Sequence, residues 1–293
     1  MSSLLKLKDI IEKNVKTNTM PGNPSHIVNY NNNSINILLK NEVEEEFYRV
    51  YSDVINNELN ILESENINIY EYRSLEFPLV ISIKKKYCNK KNISEDNFKI
   101  LIKMVRNVLV NYLDYNDYNL LDCNIDLLNC IVMETSKNYN IIFPYFITNY
   151  QIQKYIKDNI IEQEKNILKI RNVLNIYQEV LFNVFDDNVY DISKYKWLLY
   201  SCGDNKLIYR FDSNCNKIDC SKFNVYQLII LTSMRVKKNN NDDTENINIS
   251  KIIKTNQDKI VIKNKEIIKK LTIEMRDKLR IYKIGRASCR ERV

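Results

Sequence analysis

A short apolar segment that ends in three lysines is the part of this sequence best suited to bind an anionic ligand. Residues 73–87 read RSLEFPLVISIKKKY, in which Ser82 and Lys84 alternate with apolar residues and Lys85 and Lys86 follow directly. The apolar run is short, rich in β-branched residues and bounded by a proline, which is typical of a buried strand. The lysines leave the core at the end of that strand, where they either contact a nucleic-acid backbone or form a solvated strand end.

Five later segments carry further candidate residues in a fixed order. They read NCIVME (129–134), YNIIFP (139–144), DISKY (191–195), WLLYS (197–201) and LIYRFD (207–212). Together with residues 73–87, they resemble the motifs of archaeo-eukaryotic-type primases. The resemblance is closer to the amino-terminal primase domain of the poxvirus-type primase-helicases of large DNA viruses. It extends over about residues 8–234, and it depends on the order and spacing of the motifs, because each motif is weak alone.

The resemblance implies a site that adds nucleotides with the help of divalent metals. In the family, the first motif supplies two aspartates, the second a histidine and the third another aspartate. Here the first motif carries Ser82 and Lys84, the second carries Asn140, and the third keeps its acid as Asp191. The resemblance also implies nucleotide or nucleic-acid contacts at six further positions, which are Arg73, Lys85, Lys86, Tyr200, Ser201 and Lys206.

These substitutions are unfavourable for a two-metal site. Divalent metals in such sites require several oxygen ligands, preferably anionic ones. Ser82 is neutral, and Lys84 places an ammonium group where a metal should lie; two unit charges about 4 Å apart interact by ~4 kcal/mol at an intermediate dielectric. We therefore predict no metal, no cofactor and no nucleotidyl transfer, with Lys84 as a built-in cation that pairs with Asp191 or with a phosphate. The alternative is an active primase in which Mg²⁺ or Mn²⁺ is held by Glu134 or Asp212 near Asp191.

Other candidates have simpler interpretations. Arg73 matches a basic position of the family, but a surface ion pair is an equal alternative. Ser201 stands where the family usually has glycine. Trp197 is interpreted as a packed residue, and residues 186–187, two aspartates in polar surroundings, as loop charge.

Composition excludes several classes of protein. Only three glycines occur, which argues against a P-loop and a G-x-G-x-x-G dinucleotide loop. The single histidine argues against a His-rich zinc site, and seven cysteines without a C-x-x-C pair indicate free thiols in a reducing compartment. Net charge +7 permits nucleic-acid binding without requiring it. No signal peptide and no apolar stretch of about 18 residues are found, so we expect an intracellular protein without a membrane span.

Periodicity predicts an α/β (α+β) fold with a mixed-sheet, primase-like core flanked by helices. Residues 78–87 are predicted as its central strand, residues 17–33 as a loop, and Pro144 as the end of its strand. Helices are predicted at 2–16, 41–59, 94–113, 151–177, 223–234 and 265–280. The remaining strands are predicted at 60–63, 67–72, 129–134 and 139–143, with a hairpin formed by 197–201 and 207–212.

The chain divides into four predicted parts. Residues 1–236 form the primase-like domain, 237–250 a linker, and 251–283 the start of a truncated helical region. Residues 284–293 read IGRASCRERV, which differs from the Asn- and Lys-rich remainder and looks like a translated sequencing adapter rather than native sequence. A helicase domain would then be missing from this fragment or supplied in trans.

The predicted function is that of a degenerate primase-like domain in a viral DNA-replication protein. It would bind single-stranded or template-primer DNA, or a replication partner, at the viral replication site in the host cytoplasm or nucleus. One alternative is the active primase described above. Another is a viral interaction scaffold without nucleic-acid binding, which would show no salt-dependent binding of DNA.

Overall fold

Two four-stranded antiparallel sheets organise the protein. The computed structural model describes residues 2–17, 22–30, 33–88, 93–115, 128–162, 164–176, 181–190 and 196–235, which all fall within one compact unit, Met1–Asn248. The strands are β1 (His26–Tyr30), β2 (Asn33–Ile37), β3 (Asn68–Tyr72), β4 (Glu76–Lys84), β5 (Cys130–Glu134), β6 (Asn138–Asn149), β7 (Lys196–Leu198) and β8 (Lys206–Phe211). The first sheet has the order β2-β1-β3-β7 and the second the order β4-β6-β5-β8.

Seven α-helices accompany the sheets in the described part of the chain. They are α1 (Ser3–Lys13), α2 (Asn41–Ser64), α3 (Glu95–Tyr115), α4 (Tyr150–Glu162), α5 (Glu164–Leu174), α6 (Leu181–Val184) and α7 (Val225–Thr232). The predicted α/β class with flanking helices is confirmed, although both sheets are antiparallel where a mixed sheet was predicted. Within the described residues, none of the helices combines the length and the apolar character needed to cross a membrane.

The first sheet has its core against α1, α2 and α7. In α1, the buried residues Leu4, Leu7, Ile10 and Ile11 recur at helical spacing and form one apolar face. They belong to one cluster with buried residues of α2 and of the first sheet, including Phe47. Burial of this continuous apolar surface holds the helices on the sheet.

A smaller apolar layer connects the second sheet with Trp197 of β7. It contains Phe77, Val80, Ile131, Met133, Ile142 and Met234. Trp197 is buried, and its indole Nε1 donates to the Thr232 carbonyl at 2.9 Å. The prediction that Trp197 is a packed residue is therefore confirmed.

The strand β4 is an edge strand, which corrects its prediction as the central strand. Its free edge is closed by other elements: the Gln153 side chain on α4 accepts from the Val80 amide at 3.2 Å and donates to the Phe77 and Pro78 carbonyls at 3.1 and 3.0 Å. Farther along, the Asp186 amide donates to the Ser82 carbonyl at 2.9 Å. Because these groups, rather than solvent, cover the edge of β4, the strand can consist almost entirely of apolar residues.

Three local predictions were wrong for identifiable reasons. The strands β1 and β2 pair as a hairpin that begins inside the predicted loop, because their few apolar side chains are buried on the first sheet. Residues 60–63 continue α2, where Leu62 is buried in the helical core. Pro144 does not end β6: a register shift places residues 144–146 between two paired stretches, and an irregular position tolerates a residue without an amide donor.

The predicted hairpin of 197–201 and 207–212 is also wrong. Its first arm, β7, pairs with β3 in the first sheet, whereas its second arm, β8, pairs with β5 in the second sheet. Residues 199–205 therefore cross from one sheet to the other. This crossover places a tight turn beside the end of the second sheet.

Candidate functional site

Polar side chains occupy one face of the second sheet at the end of β4. Ser82 pairs in register with Asn140, and Lys84 pairs with Asn138. Residues two apart on a strand share a face. These four side chains therefore lie on the same face as Val80 and its partner Ile142, which belong to the apolar layer between the sheets. The sheet register thus brings together the three degenerate motif positions that the sequence predicted on two distant segments.

Asp186 completes this group, although sequence reasoning interpreted it as loop charge. It is 8% exposed. Its carboxylate accepts from the Asn138 amide at 2.9 Å and from the Asn188 amide at 3.0 Å, and its Oδ1 lies 3.8 Å from Lys84 Nζ. Val184 and Phe185, directly before Asp186, are an apolar pair that could have indicated a buried segment. In the structure, Phe185 forms a β-bridge with Ile83 on β4. We call Ser82, Lys84, Asn138, Asn140 and Asp186 the polar cluster.

The divalent metals that the resemblance implies do not fit these residues. Ser82 Oγ donates to Asn140 Oδ1 at 2.6 Å, so the two neutral motif positions satisfy each other. Lys84 contributes a positive charge where an anionic ligand is needed. In the described residues, no group of three or more His, Cys, Asp or Glu side chains is placed to hold a metal ion. Asp191, the retained acid of the third motif, lies outside the described residues.

The two carboxylates proposed as replacement metal ligands have other partners. Glu134 Oε1 accepts from Lys85 Nζ at 2.6 Å, and Lys206 Nζ lies 3.7 Å from its other oxygen. Asp212 accepts from the backbone amides of Asn214 and Asn216 at 2.9 and 2.8 Å. Partial desolvation raises the pKa of Asp212, but these hydrogen bonds and one from the Asn216 side chain outweigh it and lower the pKa below its usual range.

Lys85, Glu134 and Lys206 line a groove of about 470 Å³ at the same end of the second sheet. Lys85 Nζ also lies 4.7 Å from the centroid of the Tyr139 ring. Residues of the crossover and of α2 also line the groove. The other lining residues are Glu63, Thr135, Ser136, Ser201, Gly203, Asp204 and Asn205. The groove therefore joins three predicted binding residues, Lys85, Ser201 and Lys206.

The crossover turn explains why glycine is usual at the position of Ser201. Ser201 has φ 61° and Gly203 has φ 54°, both in the left-handed region that glycine adopts without strain. The turn is held by Asn205, whose side-chain amide donates to the carbonyls of Leu198 and Leu199 at 2.7 and 3.2 Å. Tyr200 lies half-buried against both apolar clusters, so its ring is largely a packing group.

Arg73 lies in the core, which corrects its interpretation as a surface contact. It is 5% exposed, and its guanidinium donates to the Val189 carbonyl. The same group lies 4.6 Å from the Phe77 ring centroid and 5.5 Å from that of Trp197. Arg73 therefore packs between β4 and β7, where a nucleic acid cannot reach it without a rearrangement of the core. Lys86, by contrast, is exposed.

Comparison with known families decides the relationship that the motifs suggested. Residues 34–214 match the family described as the C962R protein N-terminal AEP domain, AEP being the archaeo-eukaryotic primase fold. The match covers more than half of the 293 residues. The chain belongs to the C962R N-terminal AEP domain family. No curated protein matches it.

Membership of the C962R AEP family confirms the resemblance to the poxvirus-type primase domain. The matched range begins in β2 and ends after β8, so it contains the polar cluster and all the residues that line the groove. A primase-like domain of this kind indicates a replication-related viral protein. The departures from the motifs of the family therefore lie inside the region that the family match covers.

Proposed function

We propose that this AEP domain binds single-stranded DNA at the lysine-rich end of its second sheet and does not transfer nucleotides. The observation that carries this proposal is the convergence of five lysines, defined here as the basic rim. Its members come from β4, the turn after it, the β5–β6 turn and β8: Lys84, Lys85, Lys86, Lys137 and Lys206.

The backbone holds these lysines close together. The Lys85 amide donates to the Lys137 carbonyl at 2.8 Å, and Lys206 pairs in register with Glu134 on β5. Lys86, Lys137 and Lys206 are exposed. Glu134 and Asp186 neutralise part of the rim, which leaves Lys86 and Lys137 as its clearest cations for a phosphate backbone. Contacts of this kind are independent of sequence and weaken steeply with salt.

The absence of nucleotidyl transfer follows from the polar cluster. Transfer requires anionic ligands that converge on divalent metals. Two of the motif positions are hydrogen-bonded to each other, and the third is an ammonium group beside Asp186. Primer synthesis by the parent chain with Mg²⁺ or Mn²⁺ would therefore contradict this part of the proposal.

The test is fluorescence anisotropy of a labelled oligo-dT with the full chain across a salt series. The rim variant is Lys86→Glu with Lys137→Glu, and the matched control is Lys6→Glu with Lys13→Glu on α1, which changes net charge equally. We expect the rim variant to weaken binding at least tenfold at about 0.1 M salt. We also expect its salt slope to fall by about 1.4, as for two lost contacts to single-stranded DNA.

The control variant should keep both the affinity and the salt slope of the parent. Equal losses in the rim variant and the control would show a general charge effect and contradict a site at the basic rim. Absent or salt-insensitive binding by the parent would instead favour the interaction scaffold. The two pairs of substitutions can be compared because all four lysines are exposed, where substitutions usually cost little stability; the control also removes the Lys13–Asp9 ion pair on the helix surface.

A further inference from the structure

Lys84 occupies the position at which the first motif of the family has a metal-binding aspartate, and it faces a carboxylate. We propose that its ammonium group is a fixed substitute for the divalent metal: it neutralises Asp186, excludes metal ions and contacts a phosphate group directly. This inference rests on the proposed function for its ligand, which is a phosphate of single-stranded DNA. The exclusion of metal stands on the geometry of the polar cluster itself.

Asp186 is held in place by groups that do not depend on Lys84. Its backbone amide donates to the Ser82 carbonyl at 2.9 Å, and its carboxylate accepts from Asn138 and Asn188. The side chain is 10% exposed. The carboxylate therefore cannot turn out to solvent easily, and a nearby positive charge is required to compensate it.

Lys84 supplies that charge and keeps donors for a ligand. Its Nζ lies 3.8 Å from Asp186 Oδ1, which is an ion-pair separation but longer than a hydrogen bond. The Lys84 side chain is 26% exposed, so it is partly open to solvent at the edge of the cluster. An ammonium group has three donors. A phosphate oxygen can accept from Nζ while the ion pair with Asp186 stays in place.

A divalent ion near Asp186 would meet a repulsive charge and few available ligands while Lys84 is present. The oxygens of Ser82 and Asn140 are engaged with each other at 2.6 Å. A metal near Asp186 would also meet an ammonium charge of the same sign, which repels it. Replacement of Lys84 by a carboxylate reverses both conditions, because it removes the repulsion and adds a second anionic ligand opposite Asp186.

The experiment measures Mn²⁺ binding to the full chain by the loss of the electron paramagnetic resonance signal of free Mn²⁺. The variants are Lys84→Asp, Lys84→Asp with Asp186→Asn, and Lys86→Asp as an exposed neighbouring control. We expect Lys84→Asp to bind one Mn²⁺ at least tenfold more tightly than the parent. We expect the added Asp186→Asn to abolish that gain, and Lys86→Asp to match the parent.

Three results would overturn the proposal that Lys84 takes the place of a divalent metal. They are tight Mn²⁺ binding by the parent, no gain in Lys84→Asp, and a gain that persists without Asp186. If Lys84→Asp fails to fold by circular dichroism, Lys84→Asn replaces it, since it also removes the repulsion and supplies a neutral oxygen. Lys84→Asn should gain less Mn²⁺ affinity than Lys84→Asp, and the added Asp186→Asn should abolish that gain. No gain in Lys84→Asn would overturn the proposal equally.

The phosphate contact has its own readout. Oligo-dT binding by the parent should not require Mg²⁺ and should persist in EDTA, and Lys84→Met should weaken it at least fivefold in EDTA. A requirement for Mg²⁺ in the parent, or unchanged binding by Lys84→Met, would contradict the contact. Absence of DNA binding in every variant would refute the proposed function, whereas the Mn²⁺ measurements would still decide whether Lys84 excludes the metal.

Discussion

The replacement of Gln153 by leucine should strongly destabilise the protein, because Gln153 closes the edge of the strand that carries Ser82 and Lys84. The Gln153 side chain is fully buried. It accepts from the Val80 amide and donates to the Phe77 and Pro78 carbonyls. Leucine has a similar volume but no hydrogen-bonding group, so these three backbone groups lose their partner without a large cavity.

The magnitude follows from the desolvation of those groups. A buried donor or acceptor that loses its partner costs about 1–3 kcal/mol. Three such groups, with partial relaxation of the edge, give a loss of about 3–6 kcal/mol for Gln153→Leu. Because a typical domain has only about 5–15 kcal/mol of stability, this loss would remove a large part of it.

Urea denaturation followed by tryptophan fluorescence measures this effect directly. The chain has one tryptophan, Trp197, and it is buried between the sheets. The control is Gln151→Leu, two residues earlier on the same helix and exposed, which should change the unfolding free energy by less than about 0.5 kcal/mol. A loss below about 1 kcal/mol in Gln153→Leu would refute the argument, since it would show that the edge of β4 is satisfied in another way.

Three further substitutions test other parts of the structure. Ser201→Gly should raise the unfolding free energy by about 0.5–1 kcal/mol, because the left-handed φ of 61° costs a serine more than a glycine; a loss of stability in urea denaturation would contradict this. Burial raises the pKa of Glu71 above its usual 4.5, so the folded state holds the proton more tightly than the unfolded chain. The parent should then lose stability as pH rises above 4.5, and Glu71→Gln should lack this component; parallel pH profiles would contradict it. Arg106→Met should lower the free energy of unfolding by about 2–4 kcal/mol, because the buried guanidinium donates to two backbone carbonyls at 3.0 and 2.5 Å. The exposed control Lys103→Met should be nearly neutral in urea denaturation. Equal losses in the two variants would contradict the role of those hydrogen bonds.

Local patterns predicted most elements, because helix and strand periodicity is carried by neighbouring residues. The helix α3 and the strand β4 are examples, and both are present at nearly the predicted positions. Polar composition concealed the β1–β2 hairpin, since few of its residues are apolar. The edge position of β4 and the crossover after β7 depend on which strands pair, and that pairing is decided by contacts between residues far apart in sequence.

The candidate site shows the same division. The order of the motifs predicted that Ser82, Lys84 and Asn140 share a site, and the register of β4 and β6 brings them together. Asp186 was missed because two aspartates in a polar segment resemble surface charge, whereas its environment is created by a bridge to β4. Arg73 was misplaced for the opposite reason: a cation is usually exposed, but here it packs on two aromatic rings.

The polar cluster differs from a metal site because its charge is compensated within the protein. Carboxylates that converge on a metal repel each other until the cation binds, so such a site is electrostatically incomplete without it. Here Ser82 and Asn140 satisfy each other, and Lys84 compensates Asp186 within the protein. The cluster is therefore complete before any ligand arrives. It can serve as a stable wall at the end of the second sheet in which Lys84 keeps donors for one phosphate, while the exposed lysines of the basic rim supply the further contacts that a phosphate backbone requires.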